Sequence, residues 1–295
     1  MKFGIGLPNF GRETTWDDIR RVARAAEELG FDSVWTTDHV IVPQADAEPY
    51  GTIYESLITL ALVAGVTTRI KLGASILVLP QRNPVLAAKQ VATLDAATEG
   101  RVVLGVAVGW NETEYKNLGA DFKNRGKRLD EAIDLLRTLF ASEDATFHGD
   151  YTTLDHAVFA PLPAQKLIPI WIGGNGEPAL VRAARRGDGW HATGATPAQI
   201  AAGVARLAEL NPTRALTIST RLTTDLRADT PATYTYRGSS RVKLVGTLDA
   251  VRARVREYAD AGAQHLTLVF PYADLPLALA QMDQFAKKII PTFDS

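Results

Sequence analysis

Apolar positions along the chain fall alternately into short runs and into stripes with helical spacing. The first run covers residues 2–7. Trp16, Ile19, Val22, Ala23, Ala26 and Leu29 then recur every third or fourth residue, the spacing of a helix with one apolar face. Gly30 follows, where a helix end favours a residue free to turn left-handed. Further strands are predicted over 33–36, 70–77, 102–108, 169–172, 189–192, 215–221 and 265–270. Between them the pattern predicts helices over 53–66, from Pro84 to before Gly100, and over 128–140, 178–186, 197–210, 248–258 and 275–289. Three helix-to-strand joints repeat one pattern of glycine and then apolar strand: Leu29-Gly30-Phe31, Arg186-Gly187-Asp188-Gly189-Trp190 and Ala261-Gly262-Ala263. Strand-then-helix units joined by right-handed crossovers close into a barrel when there are eight of them. The expected fold is therefore α/β, a (β/α)8 TIM barrel in a single domain over 1–295, with a doubly wound sheet as the alternative. Two stretches interrupt the repeat: a hairpin insertion at 145–154 and a long polar connection over 223–247 after strand seven. The latter carries Arg227, Arg237, Arg241 and Lys243, either a solvated basic stretch or a contact for phosphate.

Composition narrows the chemistry. The 295 residues carry 32 Lys plus Arg against 33 Asp plus Glu, a balance that gives no support to bulk nucleic-acid binding or an electrostatic membrane anchor. The absence of cysteine excludes disulfides, thiolate nucleophiles and Cys-ligated metal. The first residues lack the apolar stretch of a signal peptide, and no run approaches the ~20 apolar residues of a membrane span. A cytoplasmic protein is expected.

In a barrel of this kind chemistry sits at the C-terminal ends of the strands. Those ends carry Asn9 and Phe10; Asp38 and His39; Ser75 and Ile76; Gly109, Trp110, Asn111 and Glu112; Gly173, Gly174, Asn175 and Gly176; His191 and Thr193; Thr220 and Arg221; and Tyr272. The glycine run 173–176 opens a helix with Pro178 in its first turn, so free amides there can cradle a phosphate, or the run is a plain turn. His39 can give or take a proton near neutral pH, or be a satisfied structural histidine. Glu112 can act as acid or base, or simply favour a helix start. Neither a His-Glu-x-x-His nor a Gly-x-Ser-x-Gly pattern occurs, and no metal site is expected. A phosphate cradle and aromatic walls without nucleophile or metal ligands suggest an organic cofactor.

Linked motifs support a more specific reading. Gly30-Phe31-Asp32-Ser33-Val34-Trp35-Thr36-Thr37-Asp38-His39, Leu79-Pro80-Gln81-Arg82-Asn83-Pro84, Gly105-Val106-Ala107-Val108-Gly109-Trp110-Asn111-Glu112 and Pro169-Ile170-Trp171-Ile172-Gly173-Gly174 follow one another in order. In these the chain resembles the luciferase-like monooxygenase superfamily, and within it the oxidoreductases dependent on coenzyme F420, a deazaflavin. The resemblance implies that Asp38 bonds the ring edge and that His39 faces its reactive side. It implies a non-prolyl cis peptide at Ser75-Ile76 behind the ring, and a strand-four loop (Gly109, Asn111, Glu112) touching cofactor and donating a proton. It also implies that Gly173, Gly174, Asn175 and Gly176 hold the cofactor phosphate. Phe10, Trp110 and Tyr272 are expected to wall the substrate. The implied reaction is hydride transfer between the deazaflavin C5 and a small alcohol, ketone or enone, in a homodimer. The alternatives are an FMN-using two-component monooxygenase and a non-catalytic flavin-binding or deazaflavin-binding protein.

Overall fold

The alternation folds, in a computed structural model that describes residues 1–236 and 238–293, as eight parallel strands closed into a ring. Arg237 lies outside the described residues. The barrel strands are β1 (Lys2–Gly6), β2 (Ser33–Thr36), β3 (Lys71–Val78), β4 (Val102–Ala107), β5 (Ile170–Gly173), β6 (Gly189–Thr193), β7 (Thr217–Asp225) and β8 (His265–Val269). Each pairs with the next, β8 returns to β1, and β6 to β7 completes the ring. The expected (β/α)8 barrel is thus the observed one.

Outside the ring run α1 (Trp16–Glu28), α2 (Ser56–Ala64), α3 (Pro84–Ala97), α4 (Arg125–Ala141), α5 (Glu177–Arg186), α6 (Pro197–Leu210), α7 (Leu248–Asp260) and α8 (Leu275–Lys288). Local chemistry sets their starts. Thr15 and Asp18 form a reciprocal capping box at α1, and Thr196 and Gln199 do the same at α6. Proline in the first turn of α3, α5, α6 and α8 supplies a preset φ where no amide is needed.

Large and small residues alternate inside the lower barrel. Trp35 and Trp171 stack with centroids 5.0 Å apart. Their room comes from glycines on neighbouring strands: a Cβ at Gly73 would stand 2.3 Å from Trp35, and one at Gly189 2.6 Å from Trp171. Packing at interior density leaves no slack for the missing methyl groups.

Several boundaries differ from the sequence reading. The helix expected over 53–66 starts at Ser56, because the Glu55 carboxylate accepts the Ile58 amide at 2.7 Å and Ile53 pairs with Phe10. The expected 145–154 hairpin is longer, pairing Asp144–His148 with Thr153–Val158. The connection over 223–247 is not irregular. β7 extends to Asp225, Thr233–Tyr236 pairs with Ser239–Val242, and Leu244–Val245 pairs with the end of β7. A short helix, Glu112–Asn117, follows β4. Among the described residues no helix is long and apolar enough to cross a membrane.

Candidate active site

The end of β2 delivers two buried polar side chains in succession. Asp38 turns back into the protein. One of its oxygens accepts the Val78 amide at 2.8 Å, and the other accepts from the Arg82 guanidinium at 2.6 Å. Burial raises the Asp38 carboxyl, against the pull of Arg82 and the amide. Burial also works against the Arg82 charge, but Asp38 and Glu55 outweigh it and raise its pKa. With its carboxylate so committed, Asp38 ties the β2 end to β3 instead of presenting an oxygen to a ring edge.

His39 turns the other way. Its Nδ1 lies 2.8 Å from Oε2 of Glu114, which is 1% exposed. The second Glu114 oxygen accepts the amides of Val40 at 2.7 Å and Ile41 at 3.2 Å. Burial alone would raise Glu114, but His39 and the Val40 amide together hold its carboxyl below the usual range. An ionised carboxylate only accepts, so Nδ1 carries the proton and Nε2 is the nitrogen left for chemistry. The ring sits against Tyr50 (centroids 4.7 Å apart) and Trp110 (5.4 Å), and Tyr50 against Phe10 (5.4 Å).

Glu114 therefore occupies the place that the sequence reading gave to Glu112. Glu112 is exposed on the first turn of the short helix. Asn111 is also reassigned. Its Oδ1 caps that helix by accepting the Glu114 amide at 3.1 Å, and its Nδ2 donates to Asp46 at 3.0 Å, so this buried side chain positions Glu114. A signal for Glu114 was present: Asn111, Glu114 and Tyr115 stand at offsets 0, 3 and 4, one face of a capped turn, and all three are buried.

On the neighbouring strand, β3 breaks register with β4 between Ala74 and Leu77, and the Ser75-Ile76 peptide is cis. Glycines accommodate the bulge: a Cβ at Gly105 would lie 2.2 Å from the Ala74 oxygen, and one at Gly173 2.6 Å from the Ile76 side chain. The Ser75 hydroxyl is 2.7 Å from His191 Nε2. From there a column of contacts descends through the barrel: His191 Nδ1 to Ser219 at 2.9 Å, Ser219 to His265 Nδ1 at 3.0 Å, and His265 Nε2 to Ser33 at 2.8 Å. Trp35 Nε1 donates to Ser33 at 2.8 Å. The lower end borders a cleft of about 510 Å³ at the N-terminal face, lined in part by Lys2, Asp32, Ser33 and His265. There Lys2 pairs with Asp32 at 2.9 Å, and that end lies opposite the one where barrels of this kind do chemistry.

The Gly173–Gly176 run is open at the rim. Gly174 has φ +130°, and a Cβ on it would stand 3.0 Å from Ala179. Gly176 is the N-cap of α5 and offers no side chain, and among the described residues the amides of Asn175, Gly176 and Glu177 donate to no other group. The Asn175 side chain both donates to and accepts from the Thr193 backbone at 2.9 Å, fixing the loop to β6. Arg241 also donates to the Thr193 carbonyl. Uncapped amides at a helix start with a guanidinium nearby suit a phosphate group, and the partly buried Ile76 offers an apolar contact for a flat ring. Arg227 is neutralised by Asp225 at 2.6 Å, and Lys243 lies over the Tyr234 ring. Tyr272 closes the mouth from β8, its hydroxyl donating to the Gly6 carbonyl at 2.7 Å. Gly109, at φ +67°, packs against Val78 and Tyr115, where a Cβ would clash. Among the described residues no three His, Asp or Glu side chains converge as metal ligands would.

Comparison with known proteins places this geometry in context. The family model for luciferase-like monooxygenase matches residues 1–227. An F420-dependent glucose-6-phosphate dehydrogenase of Amycolatopsis mediterranei is 36% identical over 180 residues, covering 60% of this chain and 53% of that protein. Among solved structures, monooxygenase RslO1 from Streptomyces bottropensis superposes with a TM-score of 0.84 at 21% identity, covering 99% of this chain and 100% of the other. An F420-dependent secondary alcohol dehydrogenase, solved with an F420–acetone adduct, superposes at 0.82 with 20% identity, covering 100% of this chain and 99% of the other.

Proposed function

Because the chain belongs to the luciferase-like monooxygenase family, we propose that it is an oxidoreductase using coenzyme F420 to move a hydride to or from a small organic substrate of alcohol, ketone or enone type. The observation that carries this reading is the His39–Glu114 pair, an acid–base group set by a buried carboxylate inside aromatic walls. When bound, the deazaflavin would supply a hydride donor or acceptor at its C5 carbon.

The chain's own work is orientation, exclusion of water and proton traffic. The free amides of Asn175, Gly176 and Glu177, with Arg241 near them, would hold the cofactor phosphate. Ile76 would support one ring face. His39 Nε2 would hold the proton that joins or leaves the substrate oxygen, and Glu114 would fix the tautomer and stabilise the protonated imidazole. Phe10, Tyr50 and Trp110 would keep water from the reacting atoms.

A fluorescence titration with F420 and, separately, FMN tests the reading. Binding of F420 in preference to FMN is expected. His39→Ala should keep F420 affinity within a few-fold while lowering kcat by about 10²–10⁴. Preference for FMN would move the protein to the oxygen-using branch of the family, and unchanged turnover in His39→Ala would remove that residue from the mechanism.

A further inference from the structure

Arg221 projects from β7 across the barrel mouth, where its Nη1 donates to the Ser75 carbonyl of β3 at 2.8 Å. It is the one hydrogen bond the guanidinium makes among the described residues, and among them no carboxylate pairs with it. A guanidinium has five N–H donors in a rigid fork, so most of its capacity is unspent. Its surroundings are rings. Phe10 lies 5.9 Å from it, and Tyr50, Tyr234, Tyr236 and Tyr272 stand near enough for their hydroxyls to act on its charge. Among the other guanidinium groups set into the body of this protein, Arg82 has Asp38, Arg182 has Asp130 and Arg137 has Asp188, while Arg101 spends its donors on the Thr67 hydroxyl and the Ile70 and Ala64 carbonyls. A partly buried cation with unspent donors and no carboxylate beside it, set at the mouth of the barrel, points to a counter-ion that arrives with a ligand.

We infer that Arg221 is the anchor for an organic carboxylate, so that the substrate is a small acid with an unsaturated or aromatic body. The inference rests on the oxidoreductase reading only for the word substrate; the anion site stands on the geometry alone. Arg221 reaches Phe10, Phe10 reaches Tyr50, and Tyr50 reaches His39, so the anchor and the proton-holding ring share one aromatic wall. A planar fork matches a carboxylate, with its two coplanar oxygens and single charge. Neighbouring tyrosine rings suit an apolar body attached to it.

The experiment uses benzoate and its neutral isostere benzamide as probes. Calorimetry is run on the purified full chain, with and without F420, for the parent protein, Arg221→Gln and Arg221→Lys. The expected result is that benzoate binds the parent at least tenfold more tightly than benzamide. Arg221→Gln should abolish that preference, and Arg221→Lys, which keeps the charge but loses the fork, should fall between. F420 affinity should stay within twofold in both variants. Equal binding of the two probes, binding of neither, or a preference that survives Arg221→Gln would overturn the assignment. A tenfold loss of F420 affinity in both variants would also overturn it, because Arg221 would then serve the cofactor. Preference for phenyl phosphate over benzoate would overturn the carboxylate assignment. Failure of the parent to bind F420 would sink the cofactor reading while leaving the probe comparison intact. If Arg221→Gln does not fold, as judged by its melting curve, Arg221→Lys carries the test: an unchanged benzoate preference there would overturn the fork argument.

Discussion

Two glutamates two residues apart, Glu112 and Glu114, have opposite fates. Glu112 meets solvent, whereas Glu114 is sealed under the site, holding His39 and the Val40 and Ile41 amides together. Glu112→Ala should therefore leave kcat within twofold of the parent. Glu114→Gln should lower kcat by about 10²-fold, the scale expected when an acid–base group loses its partner. Steady-state kinetics on the pair decide the matter, and a larger loss at Glu112 would reverse the assignment. In the sequence, His39 was visible as a candidate because it ends a predicted strand at the rim. Glu114 was not, because its value comes from contact with a residue 75 positions away. Likewise, nothing local in Asp38 reveals that Arg82 and Val78 claim its carboxylate.

Strands and helices were legible wherever period and punctuation agreed, as at α1, where the apolar stripe ends at Gly30 with φ +83°. Agreement failed where turn residues surround a short strand. Thr233-Tyr234-Thr235-Tyr236 alternates as a strand should, but arginine, glycine and serine around it mask the hairpin. The β3 bulge is equally silent in periodicity. Its imprint is the smallness of Gly105 and Gly173 on the strands beside it. Gly105→Ala should cost about 1–3 kcal/mol, since the new Cβ would overlap a backbone oxygen that has little room to retreat. Gly65→Ala is the control. That residue ends α2 with φ −72°, and its Cβ would meet only the Leu62 oxygen at 3.5 Å, so its urea midpoint should be unchanged or slightly raised. Equal midpoints for the two variants would contradict the packing argument.

The eightfold repeat made the barrel readable as a whole, but its polar interior was not readable, because Ser75, His191, Ser219, His265 and Ser33 come from five separate strands. That interior has a measurable signature in acid. Burial pushes His191 down to about 3, with the His265 and Arg221 charges adding to the effect, and burial pushes His265 down to about 4. The unfolded chain protonates both near 6.5, so between about pH 6.5 and 4 it binds more protons than the folded one. Stability should be full above that window and fall on acidification, by about 1.4 kcal/mol per pH unit for each histidine near pH 5. Asp225 acts in a lower window. Burial opposes its charge, but Arg227, Gln281 and Thr230 hold it at about 2, so its contribution is lost only as pH falls from 3.8 towards 2. Urea unfolding at pH 7, 6 and 5 checks this, and His265→Gln should roughly halve the slope. A flat profile would mean that the histidines are charged in the fold.

The same column has a sense as well as a charge. An indole N–H can only give, so Ser33 takes from Trp35, but a hydroxyl with two lone pairs can either give to His265 Nε2 or take from it as well. The four contacts from Ser33 to Ser75 therefore admit two head-to-tail senses, one running up the barrel and one running down it. In the first the Ser75 hydroxyl is left to give at the mouth; in the second it is spent on His191. The column thus couples the polarity of the site's floor to the tautomers of two histidines and to the far end of the barrel.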